Sequence, residues 1–313
     1  MKKILKSILV IILLVAMVSS FPIQVSAAEN EDSYEPVRLP ITARAAIVID
    51  FESGDVLYEL NADEMLAPAS MTKMMTLYLV YEAMENGQFD LDTKITVSQR
   101  AVNLSRDGFN TNVPLSLGVE YSVAELIDAA VVVSAGGATL ALAELVAGSV
   151  DNFLELMNNR IEEWGADALF FSTIGGTTHT RMTARTMGVI TRNFIMRFPE
   201  ILEVTAKRTI SFAGRSSPTT NRLLDDYEGL DGFKTGTSME SLECFAGTAE
   251  RDGVRIITVV MGSNWNHRFR DTRILLDYGF EQMQIRQANA IEYIIIEGSR
   301  RRSALWEIRL SLS

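Results

Sequence analysis

Hydrophobic and polar positions follow two different periods along the chain. Two short apolar runs, 43–50 and 56–60, flank a turn that contains Gly54, and this pattern predicts a β-hairpin. In the part that follows, apolar residues recur every three to four positions, which is typical of helices with one buried face. The elements predicted there are helices at 68–84, 122–133, 138–147, 150–164 and 183–198, a short strand at 94–97 and a loop at 103–119.

The last third of the chain returns to strand-like runs. Residues 230–237, 244–250 and 254–261 are predicted strands, and the turn 251–253 joins the latter two as a hairpin. A helix is predicted from residue 268 to about residue 282. Because hairpins make neighbouring strands antiparallel, we predict an α/β (α+β) fold. It has an antiparallel five-stranded sheet, formed by both ends of the domain and flanked by helices, with an inserted helical subdomain.

The two ends of the chain differ from this domain. Residues 1–27 contain early lysines, an apolar run and then small residues, which is typical of a secretory signal peptide; an uncleaved membrane anchor is the alternative. We therefore expect an exported, extracytoplasmic protein. The expected order is a polar linker at 28–40, the main domain at 41–282 and a short C-terminal tail at 283–313. We expect the tail to be irregular; an interfacial helix in peripheral contact with a membrane is the alternative.

Charge and composition argue against several classes of function. The chain has 29 Lys and Arg residues against 40 Asp and Glu residues, a net charge of −11, which argues against nucleic-acid binding. The single cysteine, Cys244, precludes an intrachain disulfide and is predicted to lie buried in a strand. The sequence has neither a G-x-S-x-G nor an H-E-x-x-H motif, so we predict neither a Ser-His-Asp hydrolase nor a metal site. No cofactor is expected.

A hydroxyl and an amine lie three residues apart at the start of the first predicted helix, on Ser70 and Lys73. Residues at i and i+3 share a helix face, so these side chains can form a hydrogen bond. Serine becomes a nucleophile when a base takes its proton, and lysine can be that base when burial or a nearby cation lowers its pKa. We predict Ser70 as the nucleophile and Lys73 as its base. Because about one S-x-x-K motif is expected by chance in such a chain, other groups must support the assignment.

Two further segments supply groups that such a pair needs. Ser134 lies in a Gly-rich break between two predicted helices, where a side chain can point into a cleft. Lys234 lies in a predicted strand and would add a second positive charge, which lowers the pKa of Lys73 and attracts an anionic substrate. The next three residues offer two hydroxyl groups to a carboxylate and a glycine beside which a substrate backbone can lie: Thr235, Thr237 and Gly236.

The order of these motifs, S-x-x-K, S-x-x and K-T-G, resembles that of the penicillin-recognising serine enzymes. More narrowly, several segments resemble the low-molecular-mass penicillin-binding proteins, which are serine-type D-alanyl-D-alanine carboxypeptidases. These segments are PASMTKMMT at 68–76, ALAE at 141–144, FPEIL at 198–202, DGFKTG at 231–236 and LLDYGF at 275–280. The resemblance implies a β-lactamase/DD-peptidase-like fold.

The resemblance also implies a mechanism. Ser70 would attack the penultimate residue of a peptidoglycan stem peptide that ends in D-Ala-D-Ala, and the terminal D-alanine would leave. The backbone N–H groups of Ser70 and Thr237 would form an oxyanion hole. Ser134 would relay a proton to the leaving amine, and Lys234 and Thr235 would bind the terminal carboxylate. β-Lactam antibiotics would be covalent inhibitors that acylate the same serine.

Position 136 departs from the family pattern, because the asparagine of the family's S-x-N motif is Gly136 here. In the family that amide contacts the substrate and helps to hold the lysine. Loss of one positioned polar group lowers a catalysed rate by about a hundredfold or more. A penicillin- or muropeptide-binding protein with low turnover is therefore the alternative to an active enzyme. A β-lactamase of this fold would need a carboxylate near the serine, for which Glu155 and Glu162 are the candidates.

Overall fold

The structure is a computed structural model that describes residues 37–107, 113–176 and 179–311. The chain divides into two compact units, 1–38 and 39–313, and every helix and strand described below belongs to the second. The predicted signal peptide and most of the predicted linker lie outside the described residues.

The described residues form eleven strands and eight α-helices. The strands are β1 (Ala45–Asp50), β2 (Val56–Leu60), β3 (Lys94–Thr96), β4 (Glu120–Ser122), β5 (Ala168–Leu169), β6 (Arg181–Met182), β7 (Thr209–Phe212), β8 (Arg215–Pro218), β9 (Leu230–Ser238), β10 (Leu242–Arg251) and β11 (Val254–Ser263). The α-helices are α1 (Lys73–Glu85), α2 (Gln99–Ser105), α3 (Val123–Val132), α4 (Gly136–Ala147), α5 (Val150–Glu163), α6 (Ala184–Arg197), α7 (Ile201–Thr205) and α8 (Arg268–Ser311). Two short 3-10 helices are Ala69–Thr72 and Arg222–Asp225.

The predicted antiparallel five-stranded sheet is confirmed. Its strand order is β2-β1-β11-β10-β9, so the first hairpin of the domain pairs with the last three strands. All six residues of β1 are buried, because the strand lies inside the sheet and both faces are covered. β9 is an edge strand, and its outer edge is therefore open to contact other groups.

Each face of the sheet packs against helices. On one face lies α8, which contacts β1, β10 and β11. The core residues on this side include Val48, Phe245, Ile256, Val260, Leu275, Leu276 and Phe280. On the other face lie α6 and the rest of the inserted helical block, with core residues that include Ile47, Ile49, Met74, Ile190, Phe233 and Val259. Burial of these apolar side chains on both faces supplies the main driving force for folding.

Local signals in the sequence account for several helix boundaries. The predicted capping box at the start of α3 is present: Ser122 Oγ accepts a hydrogen bond from Glu125 N at 3.2 Å, and Ser122 N donates to Glu125 Oε2 at 2.9 Å. A break separates the two buried helices at residues 133–135, two residues earlier at its end than the predicted break at 134–137, because α4 begins at Gly136. Cys244 is fully buried in β10, as predicted.

The structure contains several short helices and strands that the sequence did not predict. They lie in segments that were predicted as loops or given no assignment. Helix α2 begins before the predicted loop at 103–119 and extends into it. Its few residues pack closely on α4, where a Cβ at Gly137 would lie 2.8 Å from the carbonyl oxygen of Ala101. The β7–β8 hairpin and α7 were likewise not predicted. Elements of this length depend on tertiary contacts, because they are too short to show a clear period.

The closing helix is much longer than predicted. The sequence indicated an end near residue 282 followed by an irregular tail, whereas α8 continues to Ser311. No proline follows Pro218, and Gly298 is the only glycine between residues 283 and 311, so strong stop signals are absent from this stretch. None of the helices in the described part of the chain combines the length and hydropathy that a membrane span requires.

An aromatic cluster joins the helical block to the edge strand of the sheet. Phe194 of α6 is fully buried at its centre. Its ring centroid lies 5.2 Å from that of Tyr81 and 5.7 Å from that of Tyr78, both in α1. It also lies 5.7 Å from the centroid of Phe233 in β9 and 6.1 Å from that of Phe198. The rings meet edge to face, an arrangement that stabilises aromatic pairs beyond their burial.

We expect Phe194→Ala to lower the free energy of unfolding by about 3–5 kcal/mol, because it removes a buried ring and leaves a cavity. Chemical denaturation of the purified domain measures this change. Met196→Ala in the same helix is the control: its side chain is 56% exposed, so we expect a change of less than about 0.5 kcal/mol. A similar, small effect of both substitutions would contradict the central role of the cluster.

Candidate active site

Ser70 lies in the 3-10 helix that leads into α1. The residue before it, Ala69, has a φ of 47°, a left-handed conformation that costs an ordinary residue roughly 1–3 kcal/mol. Lys73 is the first residue of α1, and its Nζ donates a hydrogen bond to Ser70 Oγ at 2.8 Å. The structure therefore brings together the predicted nucleophile and its predicted base within one turn of helix.

The Lys73 side chain is 1% exposed. Its Nζ also donates a hydrogen bond to the carbonyl oxygen of Ile174 at 3.1 Å. No carboxylate of the described residues forms an ion pair with this amine. Burial without a counter-charge disfavours the ammonium form and lowers the pKa of Lys73 to about 7. An appreciable fraction of the amine is thus neutral, and able to accept a proton, at neutral pH.

Lys234 is the second buried amine of the site. It is 1% exposed, and its Nζ donates a hydrogen bond to the carbonyl oxygen of Thr235 at 3.1 Å. Burial lowers the pKa of Lys234 well below its usual value, and the charges of Lys73 and Arg268 lower it further. A proton on Lys73 therefore disfavours a proton on Lys234.

Gly236 is required for a reason that the sequence did not indicate. A Cβ at this position would lie 2.6 Å from the carbonyl oxygen of Pro68 and 3.3 Å from Met71 Cγ. The 3-10 helix that carries Ser70 therefore packs directly on β9. On this side Gly236 faces the protein's own backbone, and the approach of a substrate backbone to Gly236 stays a prediction.

Ser134 lies at the junction of α3 and α4 with a φ of 61°, in the left-handed region. Its side chain is buried, and Oγ has no hydrogen-bond partner among the described residues. A buried hydroxyl without a partner is costly unless another molecule supplies one. Two residues later Gly136 begins α4, so the position of the family's asparagine brings no side chain to the site.

A cavity of about 580 Å³ opens over these groups. Four of the predicted residues line it: Ser70, Ser134, Thr235 and Thr237. The other wall is built by residues from the end of β8 to the following 3-10 helix, by one residue of β10, and by residues directly before and at the start of α8: Pro218, Thr219, Thr220, Arg222, Glu243, Asn266, Arg268 and Phe269. Lys73, Lys234 and Gly236 are buried behind the lining. The cavity has the size of a small-molecule or peptide-end site.

The carboxylates proposed for a β-lactamase lie elsewhere. Glu155 and Glu162 are exposed on α5 and do not line the cavity. Within the described residues, Glu243 is the only carboxylate of the lining, and it forms an ion pair with Arg268. The described residues also contain no cluster of three His, Cys, Asp or Glu side chains that would hold a metal ion.

Arg268 is a site residue that the sequence did not reveal. Its Nη1 donates hydrogen bonds to the carbonyl oxygen of Gly236 at 2.8 Å and to Thr237 Oγ1 at 2.6 Å. Its Nη2 donates to Glu243 Oε1 at 3.0 Å. The first turn of α8 thus holds the end of β9 in place. No local motif marks Arg268 or Glu243, because each acts through residues far away in the sequence.

Thr220 and the Ile174 carbonyl were also missed. Thr235 Oγ1 donates a hydrogen bond to Thr220 Oγ1 at 2.7 Å, and Thr220 N donates to the carbonyl oxygen of Val132 at 3.0 Å. Thr220 therefore ties the segment before β9 to the end of α3. In the sequence, only the position of Thr220 shortly before β9 could have indicated a role in the site. The Ile174 group that contacts Lys73 is a backbone carbonyl, so no residue type could have indicated it.

Similarity to known proteins identifies the family. The sequence profile described as D-alanyl-D-alanine carboxypeptidase, peptidase S11, matches residues 29–264. The chain is 29% identical over 292 residues to the D-alanyl-D-alanine carboxypeptidase DacF of Bacillus subtilis, an alignment that covers 91% of this chain and 72% of that protein.

Solved structures agree with this assignment. The fold is similar to that of a peptidoglycan synthesis regulatory factor, PBP3, of Streptococcus pneumoniae, with a TM-score of 0.72, 36% identity, and coverage of 77% of this chain and 74% of that one. It is also similar to penicillin-binding protein D2 of Listeria monocytogenes in its cefotaxime-bound form, with a TM-score of 0.71, 33% identity, and coverage of 78% and 99%. This chain belongs to the D-alanyl-D-alanine carboxypeptidase family of serine peptidases.

Proposed function

We propose that this protein is a serine-type D-Ala-D-Ala carboxypeptidase that removes the terminal D-alanine from peptidoglycan stem peptides through an acyl-enzyme on Ser70. The observation that carries the proposal is the 2.8 Å hydrogen bond between Lys73 Nζ and Ser70 Oγ. The buried amine has a pKa of about 7, so at neutral pH much of it is free to take the hydroxyl proton. Membership of the family supports the choice of substrate.

In the first step, Ser70 Oγ forms a bond to the carbonyl carbon of the penultimate D-alanine while its proton passes to Lys73 Nζ. Negative charge develops on the carbonyl oxygen. The backbone N–H groups of Ser70 and Thr237 stabilise that charge as an oxyanion hole. The geometry favours this role for Thr237, because Arg268 binds its hydroxyl group and thereby fixes the end of β9.

Collapse of the tetrahedral intermediate breaks the peptide bond. The nitrogen of the terminal D-alanine takes a proton from Ser134, which is resupplied by the protonated Lys73. The unpartnered, buried hydroxyl of Ser134 supports this assignment, since it has hydrogen-bonding capacity to offer in the cleft. Water then attacks the ester on Ser70, and the shortened peptide leaves with a new carboxyl terminus.

The terminal carboxylate of the substrate binds on the cationic side of the cavity. Lys234 and Thr235 are the residues that the motif assigns to it, and Gly236 keeps their strand against the serine segment. Arg222 adds positive charge to the same wall, where the charge of Arg268 is paired with that of Glu243. A cavity lined with positive charge raises the local concentration of an anionic substrate and helps to orient it.

We infer that β-lactam antibiotics acylate Ser70 by the same chemistry and act as covalent inhibitors. The similar Listeria protein was solved in a cefotaxime-bound form. A β-lactam ring offers Ser70 a carbonyl carbon, and its opening parallels the loss of the terminal D-alanine. The amine that would leave stays tethered to the acyl group, so release depends on the deacylation step.

The ends of the chain suggest where this reaction takes place. A signal peptide at 1–27 would export the protein, and a peptidoglycan substrate is found outside the cytoplasmic membrane. We propose a linker at 28–40, a catalytic domain at 41–282 and a tail at 283–313. The helical backbone of that tail is compatible with peripheral membrane contact.

Gly136 favours a second candidate function, a penicillin- or muropeptide-binding protein with low turnover. Gly136, at the start of α4, contributes no side-chain amide to the cavity. Without a group to orient the acyl chain, an acyl-enzyme would form and then hydrolyse slowly. The two candidate functions share the acylation of Ser70 and differ in the release of product.

We expect Ser70→Ala to lower D-alanine release from diacetyl-Lys-D-Ala-D-Ala by about a thousandfold or more, because it removes the nucleophile. The mature domain is assayed for free D-alanine and for covalent labelling by a fluorescent penicillin. Both signals should disappear while the thermal unfolding transition remains. Ser149→Ala, at a helix start outside the cavity lining, is the matched control. Release that survives in Ser70→Ala would exclude this serine as the nucleophile.

We expect Gly136→Asn to raise D-alanine release by about tenfold to a hundredfold, since it restores a polar group at the cleft. Gly136 has a helical backbone, which asparagine can adopt without strain. Measurable release from the unsubstituted protein would establish a carboxypeptidase. Labelling without release, with release appearing in Gly136→Asn, would instead establish the low-turnover function.

Acylation should depend on pH through the Lys73 amine. The pKa of this amine is lowered to about 7, and the neutral form is the active base, so the rate is expected to rise with pH and to level off above about pH 8. Below the pKa it should fall about tenfold per pH unit. The labelling rate with a fluorescent penicillin is measured from pH 5 to 9. A rate that stays constant from pH 5 to 7 would rule out this base.

A further inference from the structure

The turn formed by residues 172–175, here called the lysine-facing turn, holds the second hydrogen-bond acceptor of Lys73. Lys73 Nζ donates to the carbonyl oxygen of Ile174 at 3.1 Å and to Ser70 Oγ at 2.8 Å. Among the described residues these two oxygens are the hydrogen-bond partners of the amine. Because position 136 is glycine, that position provides no side-chain amide as a third partner.

Two buried hydroxyl groups hold this turn in shape. Ser172 Oγ accepts hydrogen bonds from the N–H of Ile174 at 3.2 Å and from the N–H of Gly175 at 3.1 Å. Thr76 Oγ1 donates a hydrogen bond to the carbonyl oxygen of Thr173 at 2.6 Å. Thr76 lies in α1, three residues after Lys73, so the same helix carries the amine and one anchor of the turn.

The turn is also packed against the segment that carries the nucleophile. Gly175 has a φ of 81°, and a Cβ on it would lie 1.8 Å from the carbonyl oxygen of Ala69. Only glycine permits this contact, because any side chain would overlap the backbone. The lysine-facing turn therefore touches the chain directly before Ser70 and is hydrogen-bonded to α1 at Thr76, one turn after Lys73. Its carbonyl is held at a fixed place relative to both reacting groups.

The position of that carbonyl matters for the proton transfer. A neutral lysine amine has two N–H bonds and one lone pair. When one N–H bond points to the Ile174 oxygen, rotation about the last carbon–nitrogen bond is restricted, and the lone pair can face the Ser70 hydroxyl. After the transfer the amine is an ammonium ion, and a carbonyl oxygen next to it stabilises the charge.

We propose that Ser172 and Thr76 are positioning residues for acyl transfer, because they hold the Ile174 carbonyl where it orients the Lys73 amine and stabilises its protonated form. The inference rests on the proposed function of Ser70 and Lys73. Neither hydroxyl group touches the substrate in this scheme; both act through the turn. The turn thereby compensates for the missing polar side chain at position 136.

The first test is Ser172→Ala, which removes the acceptor of two N–H groups. The acylation rate with a fluorescent penicillin at pH 8 is expected to fall about tenfold, since each such hydrogen bond contributes a modest amount. The midpoint of the pH profile should also move to lower pH, because the Ile174 carbonyl is no longer held where it stabilises the ammonium form of Lys73. The charged groups near this amine, Lys234 and, beyond it, Arg268, are unchanged by the substitution.

Conservative variants separate positioning from general stability. Ser172→Asn keeps an oxygen that can accept the same two N–H groups, so we expect acylation within about threefold of the unsubstituted protein. Thr76→Val removes the other anchor while preserving shape, and a loss of about tenfold is expected. Ser149→Ala is the matched control, because Ser149 Oγ also accepts a backbone N–H, from Asn152 at 3.2 Å, but outside the cavity lining.

A double substitution tests the compensation. In the Gly136→Asn background the asparagine amide is expected to offer the lysine a third acceptor, so Ser172→Ala should cost at most about threefold there, against about tenfold alone. Equal losses in the two backgrounds would overturn the proposed compensation. The cycle is informative because both substitutions are expected to act on one group, the amine of Lys73, and Ser172→Ala does so through the Ile174 carbonyl.

A titration without turnover keeps this inference distinct from the proposed function. The side-chain carbon resonances of Lys73 in 13C-lysine-labelled protein report its pKa by NMR in the unsubstituted chain and in Ser172→Ala. We expect a lower pKa in the variant. An unchanged pKa together with unchanged acylation would overturn the role of the turn. Absence of acylation in the unsubstituted protein, with a pKa that still shifts, would refute the function and leave the contact with the amine intact.

Discussion

Burial of the Lys73 amine beside the Ser70 hydroxyl is the constraint on which the rest of the site depends. An ammonium group in a buried place without a carboxylate is unfavourable, and this lowers its pKa to about 7. The same burial disfavours the folded state while the lysine is charged, so the surrounding structure must hold the side chain firmly. The tight packing of the 3-10 helix on β9, at Gly236, is one such restraint.

The groups of the site come from two different parts of the fold. The nucleophile and its base lie on the helical insertion, whereas Lys234 and Thr237 lie on the edge strand of the sheet. The aromatic cluster around Phe194 connects α1, α6 and β9. Arg268 then fixes the end of that strand from the first turn of α8. The cavity therefore forms between two layers whose relative position is set by core packing rather than by the site residues themselves.

Prediction from the sequence succeeded where a local pattern carries the physical cause. Alternating apolar runs and turn residues predicted the strands of the sheet, and the capping box predicted the start of α3. It failed where the cause is remote. Helix α2, for example, is stabilised by its contact with α4. The contact between Gly236 and Pro68 was likewise not predicted, because Pro68 lies far from β9 in the sequence.

By itself the sequence determined the order of motifs, the family resemblance and the spacing of Ser70 and Lys73, because helix geometry converts three residues of separation into a hydrogen bond. Only the tertiary structure decided how the amine is held. Its second acceptor is a backbone carbonyl 101 residues away, and Arg268 reaches the end of β9 from 31 residues beyond Thr237. Backbone groups carry no residue-type signal, and contacts over such separations exist only once the core has packed.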